Sequence, residues 1–139
     1  MDDMTTVLIV EDEAITALDL KLTLEDLGYE VIAVVDNGSE AVDIAAEQCP
    51  DITIMDIKLK GEMTGIEASE LIMQFDLPVI YLTANTDDVT FNEALENSPS
   101  YAFIGKPFEK NILKHNIECA INRSNIENEK INLAHGFVK

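Results

Sequence analysis

Apolar and polar positions follow two rhythms along this chain, and the rhythms trade places from one end to the other. Val7-Leu8-Ile9-Val10 is a short unbroken apolar run, the pattern of a buried strand. Over residues 13–27 the period lengthens to that of a helix, with Ala14, Leu18 and Leu22 on an i, i+4 face and Gly28 as its stop. Residues 29–35 predict a second strand and 39–48 a second helix, capped by Ser39 or nearby Asn37. Pro50 breaks the chain before a third strand, Ile52-Thr53-Ile54-Met55, which ends at Asp56. A loop carrying Lys58, Lys60, Gly61 and Gly65 leads into a third helix over 66–75, and Pro78 opens a fourth strand at 79–82. A polar, acidic fourth helix is expected over 87–96, and Tyr101-Ala102-Phe103-Ile104 reads as a fifth strand. After Pro107, the stripe Leu113, Ile117, Ala120 and Ile121 marks a fifth helix. Beyond residue 125 the stripe is lost, which fits either an extension of that helix or a frayed end.

Five strand–helix units in series predict an α/β fold: a doubly wound, five-stranded parallel sheet with five flanking helices. Each crossover is right-handed and must lie back against the sheet. Such sheets place their sites just beyond the strand C-termini, at the point where strand order reverses.

Composition narrows the function classes. The chain has 139 residues, enough for one domain with a real core. Its 27 acidic and 9 basic residues give a formal net charge of -18, which opposes nucleic acid and anionic membrane surfaces as partners. Cys49 and Cys119 lack metal-ligand spacing and read as core or helix-end thiols of a reducing compartment. No basic leader precedes an apolar stretch and no apolar run has the length of a membrane span, so a cytoplasmic protein is expected. His115 and His135 fall on the last helix and tail as surface residues, and Tyr101 as a packing residue.

The strand ends carry the candidate chemistry. Glu11 and Asp12 follow the first strand and Asp56 ends the third, so in the order 2-1-3-4-5 the three carboxylates become neighbours. Like charges that close repel unless a hard cation joins them, which predicts a Mg²⁺ site. Lys106, after the fifth strand, supplies a fixed cation on the opposite side, suited to a phosphoryl oxygen, and Thr83, at the end of the fourth, supplies a hydroxyl donor. Asp56 is then placed as a nucleophile, since a carboxylate attacking phosphorus gives an acyl phosphate. Asp12 is also suited to capping the first helix.

The runs VLIVEDE, MDIKLKGEMTGIEA, YLTA and YAFIGKPFE, in that order and each behind its strand, resemble the receiver domain of two-component response regulators. The resemblance covers residues 5–122, leaving 123–139 as a helical extension, linker or frayed tail, and it implies a flavodoxin-like fold. It makes Asp56 the phosphoacceptor and Glu11 and Asp12 the acidic pair serving Mg²⁺, with Asp56 and the backbone carbonyl of Lys58 as further metal ligands. Thr83 and Lys106 would contact the phosphoryl group, Lys106-Pro107 would be a cis peptide, and Phe103 would be the aromatic switch that turns inward when Thr83 moves. Three departures stand out. The acidic pair is Glu-Asp, so direct ligation falls to Asp12 and Glu11 reaches the metal through water; the loop from Asp56 to Gly65 is one residue longer than the common pattern; and Phe103 lacks a phenolic hydroxyl.

The function this implies is a signalling switch that accepts a phosphoryl group from a sensor histidine kinase or phosphotransfer protein. It would act on a downstream protein or a covalently linked output domain. By the same resemblance the kinase touches the first helix and the loop over 106–109. The switch would not be a turnover enzyme beyond slow self-dephosphorylation, which Lys58 and Asn85 would influence. A pseudo-receiver that binds partners without phosphorylation is the alternative, and the complete residue set argues against it. An aspartate-nucleophile phosphohydrolase would need a second acid two residues after Asp56, where Lys58 stands. A flavodoxin-like electron carrier is opposed by Glu11-Asp12-Glu13, which would repel a flavin phosphate. The expected fourth helix has no basic residue, which disfavours dimerisation through a cross-subunit salt-bridge network on that face. Either a stand-alone receiver or the first domain of a longer protein fits the sequence.

Overall fold

Continuous β-branched and aliphatic runs pair only where both faces of a sheet are covered, and here five of them do so. The computed structural model describes residues 4–59, 61–83 and 102–134. Its elements run β1 (Thr6–Val10), α1 (Ala14–Asp26), β2 (Glu30–Val35), α2 (Gly38–Gln48), β3 (Ile52–Asp56), α3 (Gly65–Met73), β4 (Val79–Thr83), β5 (Ala102–Gly105) and α4 (Lys110–Ala134). The strands form one sheet in the order β2-β1-β3-β4-β5, every neighbouring pair parallel. Four helices are described. The acidic helix expected over 87–96 lies outside the described residues, as do Lys60, Asn85, Tyr101 and His135.

Alternation along the strands sends side chains to two separate cores. Leu8, Val10, Met55 and Tyr81 face α2 and α3, where Ala41, Ala45, Ala68 and Ile72 meet them. On the other face, Val7, Ile9, Ile52, Ile54, Ile80, Leu82 and Ile104 pack with Leu20 and Leu24 of α1 and Leu113, Ile117 and Ala120 of α4. The stripe expected on the last helix is thus its buried face. The helix itself runs on through Ala134.

The face expected for α1 is corrected. Its buried residues are Ala17, Leu20 and Leu24, whereas Leu18 and Leu22 are 57% and 56% exposed and Ile15 is 86% exposed. Apolar residues occupy both sides of this helix, so helical period alone fits two stripes; contact with the sheet selects one of them.

Local signals set the helix ends. Gly28 adopts φ +96°, a left-handed conformation that costs glycine nothing, and turns the chain from α1 into β2. Asn37, not Ser39, caps α2, its side chain accepting from the Glu40 backbone N–H at 2.9 Å. Thr64 and Glu67 close a reciprocal capping box on α3. The N-cap position of α1 is Glu13, which makes no side-chain cap bond. Cys49 is a helix-end thiol at the C-cap of α2, but Cys119 is neither core nor helix end: it is exposed along α4. Among the described residues, no helix is long and apolar enough to cross a membrane.

Candidate functional site

β1 and β3 are adjacent, with Val10 opposite Met55, so the residues that follow them meet at one sheet edge. One carboxylate oxygen each from Glu11, Asp12 and Asp56 lies within 4.8 Å of the others. Glu11 and Asp56 are buried and Asp12 is half-buried. Thr83 is also buried, at the end of β4, where its register partner in β5 is Gly105. Its carbonyl accepts from the Lys106 backbone N–H at 2.8 Å, which ties the β5 end to the β4 end.

Lys106 does not stand opposite the carboxylates, as the sequence reading expected, but reaches into them. Its Nζ is 2.8 Å from Glu11 Oε1, 3.6 Å from Asp56 Oδ2 and 3.7 Å from Glu13 Oε1. The peptide Lys106-Pro107 is cis. Burial by itself lowers the affinity of the Lys106 amine for its proton, but the contact with Glu11 and the charge of Asp56 more than offset this, and the ammonium is stabilised. Glu11 is shifted upward as well, which for a carboxyl disfavours the charged form. Burial pushes its pKa up to about 7, Lys106 draws it down in part, and Asp56 pushes it up again.

The backbone fixes the acids from behind. Lys58 N–H donates to Asp56 Oδ1 at 3.0 Å, and Glu13 N–H donates to Glu11 Oε2 at 3.1 Å. Gly65, the first residue of α3, approaches the end of β3 so closely that a Cβ there would lie 2.3 Å from the Asp56 carbonyl oxygen. Glycine is required at this contact, because the obstructing atom belongs to the backbone and cannot swing away.

Phe103, in β5, is half-buried, and its ring tilts against Tyr81 at 5.2 Å between centroids. Tyr81 is fully buried, and its hydroxyl is hydrogen-bonded to Ser69 of α3, whose Oγ also donates to the Ile66 carbonyl. The sequence assigned no role in the phosphoryl site to Glu13, Gly65, Ser69 or Tyr81. A hydroxyl-bearing aromatic at a core-facing strand position was the available signal for Tyr81, since a buried phenol requires a partner.

The donor set suits a hard divalent cation: three carboxylates on one edge, oxygen atoms only, beside the Lys106 ammonium, whose one charge cannot neutralise all of them. Among the described residues, the cluster is made of carboxylates alone, with no thiol or imidazole in it that would favour a softer ion.

Comparison with known proteins agrees with this geometry. Residues 7–118 match the family model described as the response regulator receiver domain. The phyllosphere-induced regulator PhyR of Methylorubrum extorquens is 38% identical over 110 residues, which cover 78% of this chain and 40% of the relative. The transcriptional regulatory protein PdtaR of Mycobacterium tuberculosis is 36% identical over 118 residues, covering 84% of this chain and 57% of the relative. This chain therefore spans about half the length of these curated relatives, or less. Among solved structures, the signal receiver domain of a modulated diguanylate cyclase from Desulfovibrio desulfuricans superposes with a TM-score of 0.83 at 38% identity, covering 90% of this chain and 99% of that one. The receiver domain of the sensor histidine kinase PA1611 from Pseudomonas aeruginosa superposes with a TM-score of 0.78 at 27% identity, covering 86% and 99%, and holds a magnesium ion coordinated in its active-site cleft.

Proposed function

Because this chain belongs to the response regulator receiver domain family, we propose that it is a phosphorylation-dependent switch in which Asp56 accepts a phosphoryl group from a histidine kinase or phosphotransfer protein. The observation that carries this reading is the convergence of Glu11, Asp12 and Asp56 within 4.8 Å, with Lys106 reaching two of them. A surface acid that merely caps a turn has no need of that company.

In the transfer, an Asp56 carboxylate oxygen forms a bond to phosphorus as the bond between phosphorus and the donor histidine nitrogen breaks, and that electron pair stays on the imidazole. The Lys58 N–H holds Asp56 in place through Oδ1, a positioning role that requires no motion during reaction. The Lys106 ammonium answers charge developing on the phosphoryl oxygens, and the Thr83 hydroxyl donates to another of them. Glu11, Asp12, Asp56 and the Lys58 backbone carbonyl would hold Mg²⁺, which when bound offsets the repulsion between carboxylates and phosphoryl oxygens. Glu11 is buried and already paired to Lys106, so Asp12 is the more accessible direct ligand.

Thr83 and Phe103 form the readout: Thr83 moves toward the phosphoryl group and Phe103 turns inward, biasing a two-state equilibrium that a partner reads. The exposed face of α1, with Ile15, Leu18 and Leu22, is the surface offered to the phosphodonor. Residues 5–122 make up the switch, with 123–139 a helical extension, linker or tail beyond it. Turnover of external phosphate esters is not part of this function, because Lys58 occupies the place where such chemistry wants an acid.

The test is intact mass after incubation with acetyl phosphate and Mg²⁺. A metal-dependent, base-labile gain of about 80 Da, the mass of one phosphoryl group joined to a carboxylate, is expected in the wild type and not in Asp56→Asn. No adduct under these conditions, and no beryllofluoride-induced change at Phe103 by NMR, would overturn it in favour of phosphate-independent partner binding.

A further inference from the structure

α4 carries a pair of side chains unrelated to the acidic edge. His115 and Cys119 stand four positions apart, so they lie one above the other on the helix, and both are exposed. The Cys119 Sγ lies 3.6 Å from His115 Nε2. A tetrahedral ion bound by a thiolate at about 2.3 Å and by an imidazole nitrogen at about 2.0–2.1 Å holds those two atoms about 3.6 Å apart. The pair therefore already has the bite of a chelate, with an ion seated at the apex above the line that joins sulfur and nitrogen.

The geometry points to a second metal site on this protein, a two-residue chelate of His115 and Cys119 for a borderline or soft transition-metal ion such as Zn²⁺. Mg²⁺ would not enter it, because hard cations take oxygen ligands and leave thiolate and imidazole to softer ions. Binding replaces the thiol proton: Cys119 gives up H⁺ to solvent and its thiolate forms the metal–sulfur bond, while neutral His115 donates the Nε2 lone pair and keeps its other proton on Nδ1. The two remaining tetrahedral positions are open to water. The net charge of -18 favours any divalent cation near the surface, but only this pair offers sulfur and nitrogen at chelating distance among the described residues. Cys49, at the C-cap of α2, has its Sγ 4.0 Å from a backbone carbonyl, that of Ala46.

The inference does not rest on phosphorylation, and the experiment keeps the two apart. The reduced full chain is titrated with Co²⁺ in excess Mg²⁺, so that oxygen-only sites are occupied, and the thiolate-to-cobalt charge-transfer band in the near ultraviolet is recorded. Carboxylates cannot produce that band. The expected result is a band saturating at one equivalent in the wild type and in Cys49→Ser, absent in Cys119→Ser, and weakened at least about tenfold in affinity in His115→Gln, since each ligand contributes to the chelate. Zn²⁺ should bleach it by displacement. A band that survives in Cys119→Ser, that disappears in Cys49→Ser, or that never forms would overturn the site. Both target residues are exposed, so unchanged thermal unfolding of the metal-free variants separates a lost ligand from a lost fold.

Discussion

Glu11 is the residue where burial and charge conflict most openly. Its carboxyl is pushed from an ordinary value of 4.5 to about 7 by burial first, with Asp56 adding to the rise and Lys106 opposing it. The folded chain therefore binds this proton more tightly than the unfolded chain does. The stability it contributes is fully present below about pH 4.5 and is lost as pH rises through about 7. In metal-free buffer, Glu11→Gln should flatten that decline between pH 5 and 8, read as the difference between the two proteins' urea midpoints at each pH. Parallel curves would mean that Glu11 does not titrate there. Gly65 is limited by space, not charge. Gly65→Ala puts a Cβ 2.3 Å from the Asp56 carbonyl, so α3 or the end of β3 must shift, at a cost of about 1–3 kcal/mol typical of overpacking. Chemical denaturation should show that loss, and the acyl-phosphate yield should fall with it because Asp56 moves. Unchanged stability would mean that α3 has room to withdraw.

Among the elements, α1 separates what its two apolar stripes do. Leu20→Ala should cost about 2–5 kcal/mol, the range for emptying a packed aliphatic site, because Leu20 is fully buried against β1 and its neighbours. Leu18→Ala, at 57% exposure, should change stability by no more than about 0.5 kcal/mol yet slow phosphotransfer from a kinase while leaving acetyl phosphate reactivity unchanged. Equal stability losses at both positions would contradict the face assignment. The sequence made the strands legible because fully buried strands are written as unbroken apolar runs, as in Ile52-Thr53-Ile54-Met55. It made the acidic edge legible because carboxylates directly behind such runs have few other uses. The stripe on α4 was readable too, having one apolar side over its first three turns. The face of α1 was not, since Ile15, Leu18 and Leu22 compete with Ala17, Leu20 and Leu24 at the same period, and only contact with the sheet decides between them. The reach of Lys106 into Glu11 was hidden for a related reason. Strand order puts two loops at one edge, but the turn after β5 sets which carboxylate the long side chain meets.

At the scale of the whole molecule, 27 acidic residues against 9 basic ones make folding a concentration of like charge. Self-repulsion destabilises the compact state, and salt weakens it over a Debye length of about 10 Å at 0.1 M. Sodium chloride should therefore raise the unfolding temperature even though it also screens favourable pairs such as Lys110 with Asp26, because an exposed pair contributes little. That general effect must be separated from a specific one. Magnesium chloride at the same ionic strength should raise the unfolding temperature further, since an ion bound only by the native cluster adds stability in proportion to the logarithm of its saturation, about 2.7 kcal/mol at 100 times its dissociation constant. Asp12→Asn removes one of the three clustered carboxylates while leaving the rest of the surface as it was. It should erase the magnesium-specific increment and retain the sodium response. If magnesium and sodium act alike on the wild type at matched ionic strength, the three acids are only part of a diffuse negative surface. If they differ, and Asp12→Asn removes the difference, the excess charge has a focus at the sheet edge where Asp56 stands.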